Sequence, residues 1–161
     1  MLALLPLCAA AGNRDGRSAA KNVSEIVSQY RHKDGFDVVS LGKVGTSFAK
    51  SVVSLCSAGD EDLREISRLV SPLKRFSFVE YEEAEPYLRE RFNAAVAKAL
   101  SSSELLMEIK DDDDVLKVYG NYDDKSGTVR DFVVFSPTDF ALVSVFGCIP
   151  FDELAGFANK L

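Results

Sequence analysis

The sequence predicts an α+β fold, a largely antiparallel sheet including a C-terminal four-strand meander, packed with helices. Three observations predict it. From Glu104 onward, apolar residues recur at every second position through four successive segments joined by turn residues. Before Glu104 they recur mostly at i, i+3, i+4 and i+7, the spacing of amphipathic helices. Four strands in direct succession also exclude a repeated βαβ unit. The 161 residues fit one domain. A chain of this size buries roughly 68–70% of its unfolded surface, so one apolar core suffices without staples.

The elements follow in order. Residues 1–11 carry no charge and end in Ala9-Ala10-Ala11, an A-x-A cleavage pattern. They read as a signal peptide whose basic start lies upstream of Met1. A lipid anchor at Cys8 would need a small residue before the cysteine, and Leu7 is bulky, so lipidation is disfavoured. Polar, Gly-containing residues 12–21 read as a linker, and 22–161 as the single domain. Asn22, with Glu25 three residues on, reads as a helix start, and Val23, Ile26, Val27 and Tyr30 as its stripe. Gly35 then reads as a helix stop.

Phe36 to Leu41 is β-rich, and Gly42 and Gly45 break it. Val44, Phe48, Val52 and Leu55 predict a second helix, with Cys56 near its end. Asp60-Glu61-Asp62 opens a third, where the macrodipole favours acids; Leu63, Ile66, Leu69 and Val70 are its stripe and Pro72 its stop. Leu73 to Tyr81 alternates as a strand. Pro86 fits the first turn of a helix whose buried face is Leu88, Phe92, Ala95, Val96 and Ala99, closed by Ser101-Ser102-Ser103.

In the meander, Leu105, Met107 and Ile109 share a face, as do Leu116 and Val118 in the next strand. Asp123-Asp124-Lys125-Ser126-Gly127 is a turn, Thr128 to Phe135 a strand, Pro137-Thr138-Asp139 a turn, and Phe140 to Phe146 the last strand. Pro150 begins a closing helix with Phe151, Leu154, Ala155, Ala158 and Leu161. The predicted order is α-β-α-α-β-α-β-β-β-β-α. Val133-Val134 and Val143 to Phe146 are apolar on both strand faces, so either helices wrap both faces of the sheet or one face meets a partner.

The chemistry is mostly subtractive. A net charge of −6 and a pI of about 4.9 disfavour nucleic acid and anionic membrane surfaces. No run of 18 apolar residues predicts a membrane-spanning helix. Cys8, Cys56 and Cys148 lack the C-x-x-C spacing of a zinc pair. With Cys8 removed, Cys56 and Cys148 could pair, but their apolar segments favour two buried thiols. The single histidine, His32, lies at a helix C-terminus, where the dipole favours it. No G-x-S-x-G elbow occurs, and Gly45-Thr46-Ser47 lacks the P-loop spacing and lysine.

The acidic run Asp111 to Asp114 places Asp111 and Asp113 at the first two ligand positions of an EF-hand. Leu116 stands where the glycine belongs, and no glutamate ends the loop. The run reads as a solvated hairpin connection, with Asp123 and Asp124 at the other end of the following strand. Glu80, Glu82, Glu83, Glu85 and Glu90 read as a second solvated stretch. No catalytic, cofactor-binding or metal-ligating residue is assigned, and no cofactor is expected.

The C-terminal part, "VLKVYGNYDDKSGTVRDFVVFSPTDFALVSVFGCIPFDELAGFANKL", resembles domain-of-unknown-function family 4252. The matching features are Val118-Tyr119-Gly120, a polar turn, an apolar strand, an acidic turn, a strand ending near Gly147, and a closing helix with Asp152, Leu154 and Leu161. The segment "FDVVSLGKVGTSFAK" is similar to that family's strand followed by an amphipathic helix. The resemblance spans about residues 24–161. It implies a small bacterial envelope protein with a signal peptide, in a family with many lipoproteins, and it brings no activity and no site residues. The expected function is therefore an exported, non-enzymatic protein-interaction module in the periplasm or associated with the outer membrane. Its protein partner and oligomeric state are unspecified. The alternative is a small-molecule or cation binder, or a minor hydrolase, using an acidic loop.

Overall fold

The computed structural model describes residues 18–42 and 73–158. The first helix, α1, spans Ala19–Tyr30. Its cap is Ser18, whose hydroxyl accepts from the Lys21 N–H at 3.2 Å. The start predicted at Asn22 therefore moves back to Ala19. Asn22 lies inside the helix, donating its N–H to the Ser18 carbonyl at 3.0 Å. Ala19 and Ala20 are buried, so the end of the expected linker belongs to the folded domain. Alanine has the highest helix propensity and is small enough for close packing, which extends the helix past the first plausible capping residue.

The helix ends at Tyr30, ahead of Gly35. Gly35 has φ 81°, and a Cβ built there would sit 2.3 Å from the Ala84 nitrogen. It is thus a point of backbone approach to the segment after the second strand, rather than the helix stop the sequence suggested.

Strands β1 (Asp37–Gly42), β2 (Leu73–Glu80), β3 (Glu104–Asp111), β4 (Asp114–Asp123), β5 (Thr128–Ser136) and β6 (Ala141–Pro150) form one sheet in the order β1-β2-β6-β5-β4-β3. Every pairing is antiparallel. The predicted meander is the run β3-β4-β5-β6, and β2 closes against its last strand. Helix α2 (Pro86–Leu100) follows β2, and α3 (Phe151–Ala158) follows β6. The fold is the predicted α+β class.

One face of the sheet packs against α1 and α2. Val23 and Val27 from α1 and Phe92, Val96 and Leu100 from α2 meet Val79, Tyr81, Val133, Phe135 and Leu142. Phe36 stacks on Tyr81 at 5.5 Å between centroids, and Phe92 stands edge-on to both. The opposite face holds Phe76, Val118, Val129, Phe132, Val134, Val145 and Ile149, with Leu154 of α3. Both neighbours in Val133-Val134 are buried. Among the described residues, α1 and α2 pack on one face and α3 packs on the other through Leu154 and Phe151.

The last strand runs on to Pro150 instead of ending at Phe146. A bulge in β5 explains this. The register with β6 shifts between Arg130 and Val133, and Asp131 adopts φ 50°. Its carboxylate accepts from the Gly147 N–H at 3.0 Å. Gly147 has φ 145°, open to glycine, so the strand passes through a residue that sequence reading treats as its end. The bulge also puts Val129 and Phe132 on one face despite their odd spacing.

The predicted signal peptide 1–11, Cys8, linker residues 12–17, the helices predicted around Val44–Leu55 and Leu63–Val70, Cys56 and Leu161 lie outside the described residues.

Candidate functional site: a serine and arginine pocket beside helix α1

Strand register places three serines in one row. Ser40 of β1 pairs with Ser77 of β2, and Ser77 with Ser144 of β6. All three lie on the face that carries α1 and α2, since Val38, Val79 and Leu142, two residues away on each strand, belong to the core there. The adjacent row is apolar from β1 to β5, running Val38, Val79, Leu142, Phe135, before it reaches Lys117 of β4. The row on the other side holds Gly42, Arg75 and Phe146.

Above the serine row, α1 contributes Ser24, Val27 and Ser28, and the residue after its last turn contributes Arg31. Together these residues line a cavity of about 260 Å³ with Ser40, Arg75, Ser77, Ser144 and Phe146. Its base is buried: Ser144 is 2% exposed and Val27 is 6%. Its rim is open, with Ser28, Arg31, Ser40 and Arg75 exposed.

The polar groups are connected. An Arg31 N–H donates to the Ser40 hydroxyl at 3.1 Å, and the Ser40 and Ser77 hydroxyls are 3.1 Å apart. Because Ser40 accepts from Arg31, it can donate its own proton to Ser77, which frees the Ser77 proton for the cavity. The Arg75 guanidinium stands 5.6 Å from the Phe146 ring centroid, a cation–π distance that orients the charge beside the pocket. Among the described residues, neither arginine forms an ion pair. Ser144 makes no side-chain hydrogen bond among them either.

This lining can hold an anion. Among the described residues it offers two guanidinium groups and five hydroxyls, and no carboxylate. Among the described lining residues no side chain is placed as a base for a serine nucleophile, and an arginine stays protonated.

The features singled out from sequence fall elsewhere. Asp112 and Asp113 form the tight turn between β3 and β4, with Asp112 at φ 49°; the run Asp111 to Asp114 is exposed. Asp123 and Asp124 sit at the far end of β4, in the turn before β5. The two clusters are thus separated by the length of a strand, as a meander requires. Asp123 organises its own turn by accepting from the Lys125 N–H at 3.0 Å and the Ser126 hydroxyl at 2.9 Å. The Ser126 hydroxyl chiefly, then the Lys125 N–H, holds its carboxyl below the ordinary aspartate range.

Glu82, Glu83 and Glu85 are exposed between β2 and α2, with Glu80 and Glu90 exposed on those elements. His32 is exposed in the turn after α1 and is not among the residues lining the pocket. Cys148 is a half-buried free thiol. Tyr81, whose hydroxyl donates to Asn93 of α2, has its pKa pushed up by burial. That tyrosine is a core residue whose polar end is satisfied. Among the described residues no group of three or more His, Cys, Asp or Glu side chains could hold a metal ion, and no helix is long and apolar enough to cross a membrane.

Sequence reasoning missed the pocket. Its signal was a lone serine inside each of three apolar strand segments, in "VVSLG", "FSFVE" and "VSVFG". Each is unremarkable alone. Only the register makes them one row.

A family model described as Domain of unknown function (DUF4252) matches residues 30–157. No curated protein and no solved structure matches the chain. With most of its length matched, the chain belongs to that family of unknown function.

Proposed function

We propose that this family member is a non-enzymatic binding module of the bacterial envelope, exported by its N-terminal segment, and that it engages an acidic protein partner through the pocket beside α1. The observation that carries the reading is the pair Arg31 and Arg75, without ion pairs among the described residues, beside a buried serine in a chain of net charge −6. Buried polar groups ordinarily find partners, and an arginine's planar fork suits a carboxylate. The apolar sheet faces give no such support, since both are buried in this chain's own core. That no base stands among the described lining residues favours binding over hydrolysis.

The test is capture from an envelope fraction by the purified protein and by its Arg31→Gln/Arg75→Gln variant. A protein retained by the first and lost by the second supports the reading. Equal retention by both moves the contact to another surface. The export part is checked by the intact mass of the mature protein: an N-terminus near residue 12, recovered from the envelope fraction, is the expected result.

A further inference from the structure

We infer that the cavity between α1 and strands β1, β2 and β6 is a monocarboxylate site, built to take one carboxylate group between Arg31 and Arg75 with its oxygens toward Ser77 and Ser144. This deepens the proposed function and rests on its assignment of the pocket as the binding element.

Size comes first. At about 260 Å³ the cavity holds roughly nine waters at ~30 Å³ each. That is below the usual range for drug-sized ligands, about 300–1,000 Å³, and ample for one acidic side chain or a small organic acid.

The donors come next. Arg31 spends one N–H on Ser40 and keeps the rest of its fork. Arg31 donates to Ser40, whose hydroxyl lies 3.1 Å from that of Ser77; with Ser40 donating onward, the Ser77 proton is left for the pocket. Ser144 is 2% exposed, lines the cavity and lacks a side-chain hydrogen bond among the described residues. Its hydroxyl faces the cavity and can donate to an oxygen held there.

Charge selects the anion. Phosphate sites commonly use the N–H groups of a helix N-terminus. Here α1 presents Ser24, Val27 and Ser28 from its middle and C-terminal turns, and Arg31 from just beyond them, where the helix dipole is negative. That end disfavours a dianion. The net charge of −6 likewise repels a polyanion at long range. Two guanidiniums offset by the helix C-terminus suit a single negative charge best, and its shape matches a guanidinium fork.

The experiment is calorimetric titration of the purified protein with three probes: butyrate, a capped alanine-rich peptide with one central glutamate, and inorganic phosphate. Saturable binding of the carboxylate probes ahead of phosphate is expected. Arg75→Gln should weaken it about tenfold or more, because charge-assisted hydrogen bonds are the strong ones. Ser144→Ala should weaken it several-fold, and Arg75→Lys should fall between wild type and Arg75→Gln. Melting curves establish that each variant is folded.

Tighter binding of the peptide than of the free acid supports both the site and the protein-partner reading. Tighter binding of the free acid supports the site and overturns the protein partner in favour of a small organic acid. Preference for phosphate, no saturation by either carboxylate, or equal affinity in folded Arg75→Gln overturns the carboxylate site.

Discussion

Two adjacent rows on one sheet face are built for opposite purposes. The row Val38, Val79, Leu142, Phe135 is dry and continues into the aromatic cluster of Phe36, Tyr81 and Phe92. One step along the same strands, the row Ser40, Ser77, Ser144 is polar and borders a cavity, although it lies beneath the same helix. A row serving only stability would repeat the first composition. In the proposed function, the hydroxyls in its place are the binding surface. Stability and binding should therefore separate by row under mutation.

The largest expected effect is in the dry row's cluster. Phe92 is fully buried among Tyr30, Phe36 and Tyr81. Phe92→Ala should cost about 3–5 kcal/mol by denaturant unfolding. Gly35→Ala is next. It combines a positive φ with a Cβ overlapping Ala84, and should cost about 2 kcal/mol or more in the same assay. Neither substitution removes a pocket donor, so any protein that remains folded should still bind. Loss of binding with the fold intact would erase the distinction between the rows.

The polar row should behave in reverse. Ser77→Val adds a methyl group toward an existing cavity and removes a donor. Its effect on unfolding should stay within about 1 kcal/mol, of either sign. Envelope-partner capture, by contrast, should fall. A large destabilisation would reassign the serines to structure.

The smallest effect is a pH dependence outside both rows. Asp123 has a depressed pKa in the folded chain, held there by Ser126 and Lys125. The stabilisation it gives is present above the ordinary aspartate pKa and is lost as the pH falls through its lowered value. Asp123→Ala should therefore melt slightly below wild type at neutral pH, and the gap should close in acid. A gap that persists or widens in acid would contradict that assignment.

The fold was legible where local chemistry and tertiary structure agree. The change of period at Glu104, Pro86 at the first position of α2, and the Asp123 to Gly127 turn each state their structure locally. Legibility failed where a distant partner decided the matter. Gly147 ends a strand in local reading, but Asp131, sixteen residues earlier, accepts its N–H and the strand continues. Asn22 caps a helix by rule, yet burial of Ala19 and Ala20 carries the helix back to Ser18.

The site was illegible for the same reason, more acutely. Ser40 and Ser77 are thirty-seven residues apart, and Ser144 is farther still; only the antiparallel register aligns them. The acidic runs are the most conspicuous polar features of the sequence, and in the fold they are exposed turns and connections.

The most direct test of the binding role of the polar row is the melting temperature of wild type and Ser144→Val, each with and without saturating single-glutamate peptide. A ligand specific for the native state raises the melting temperature in proportion to its binding free energy. The account predicts that unliganded Ser144→Val melts at or above wild type, and that the peptide raises its melting temperature by less than it raises that of wild type. A variant that melts well below wild type without peptide, or one that keeps the full peptide-induced rise, would contradict it.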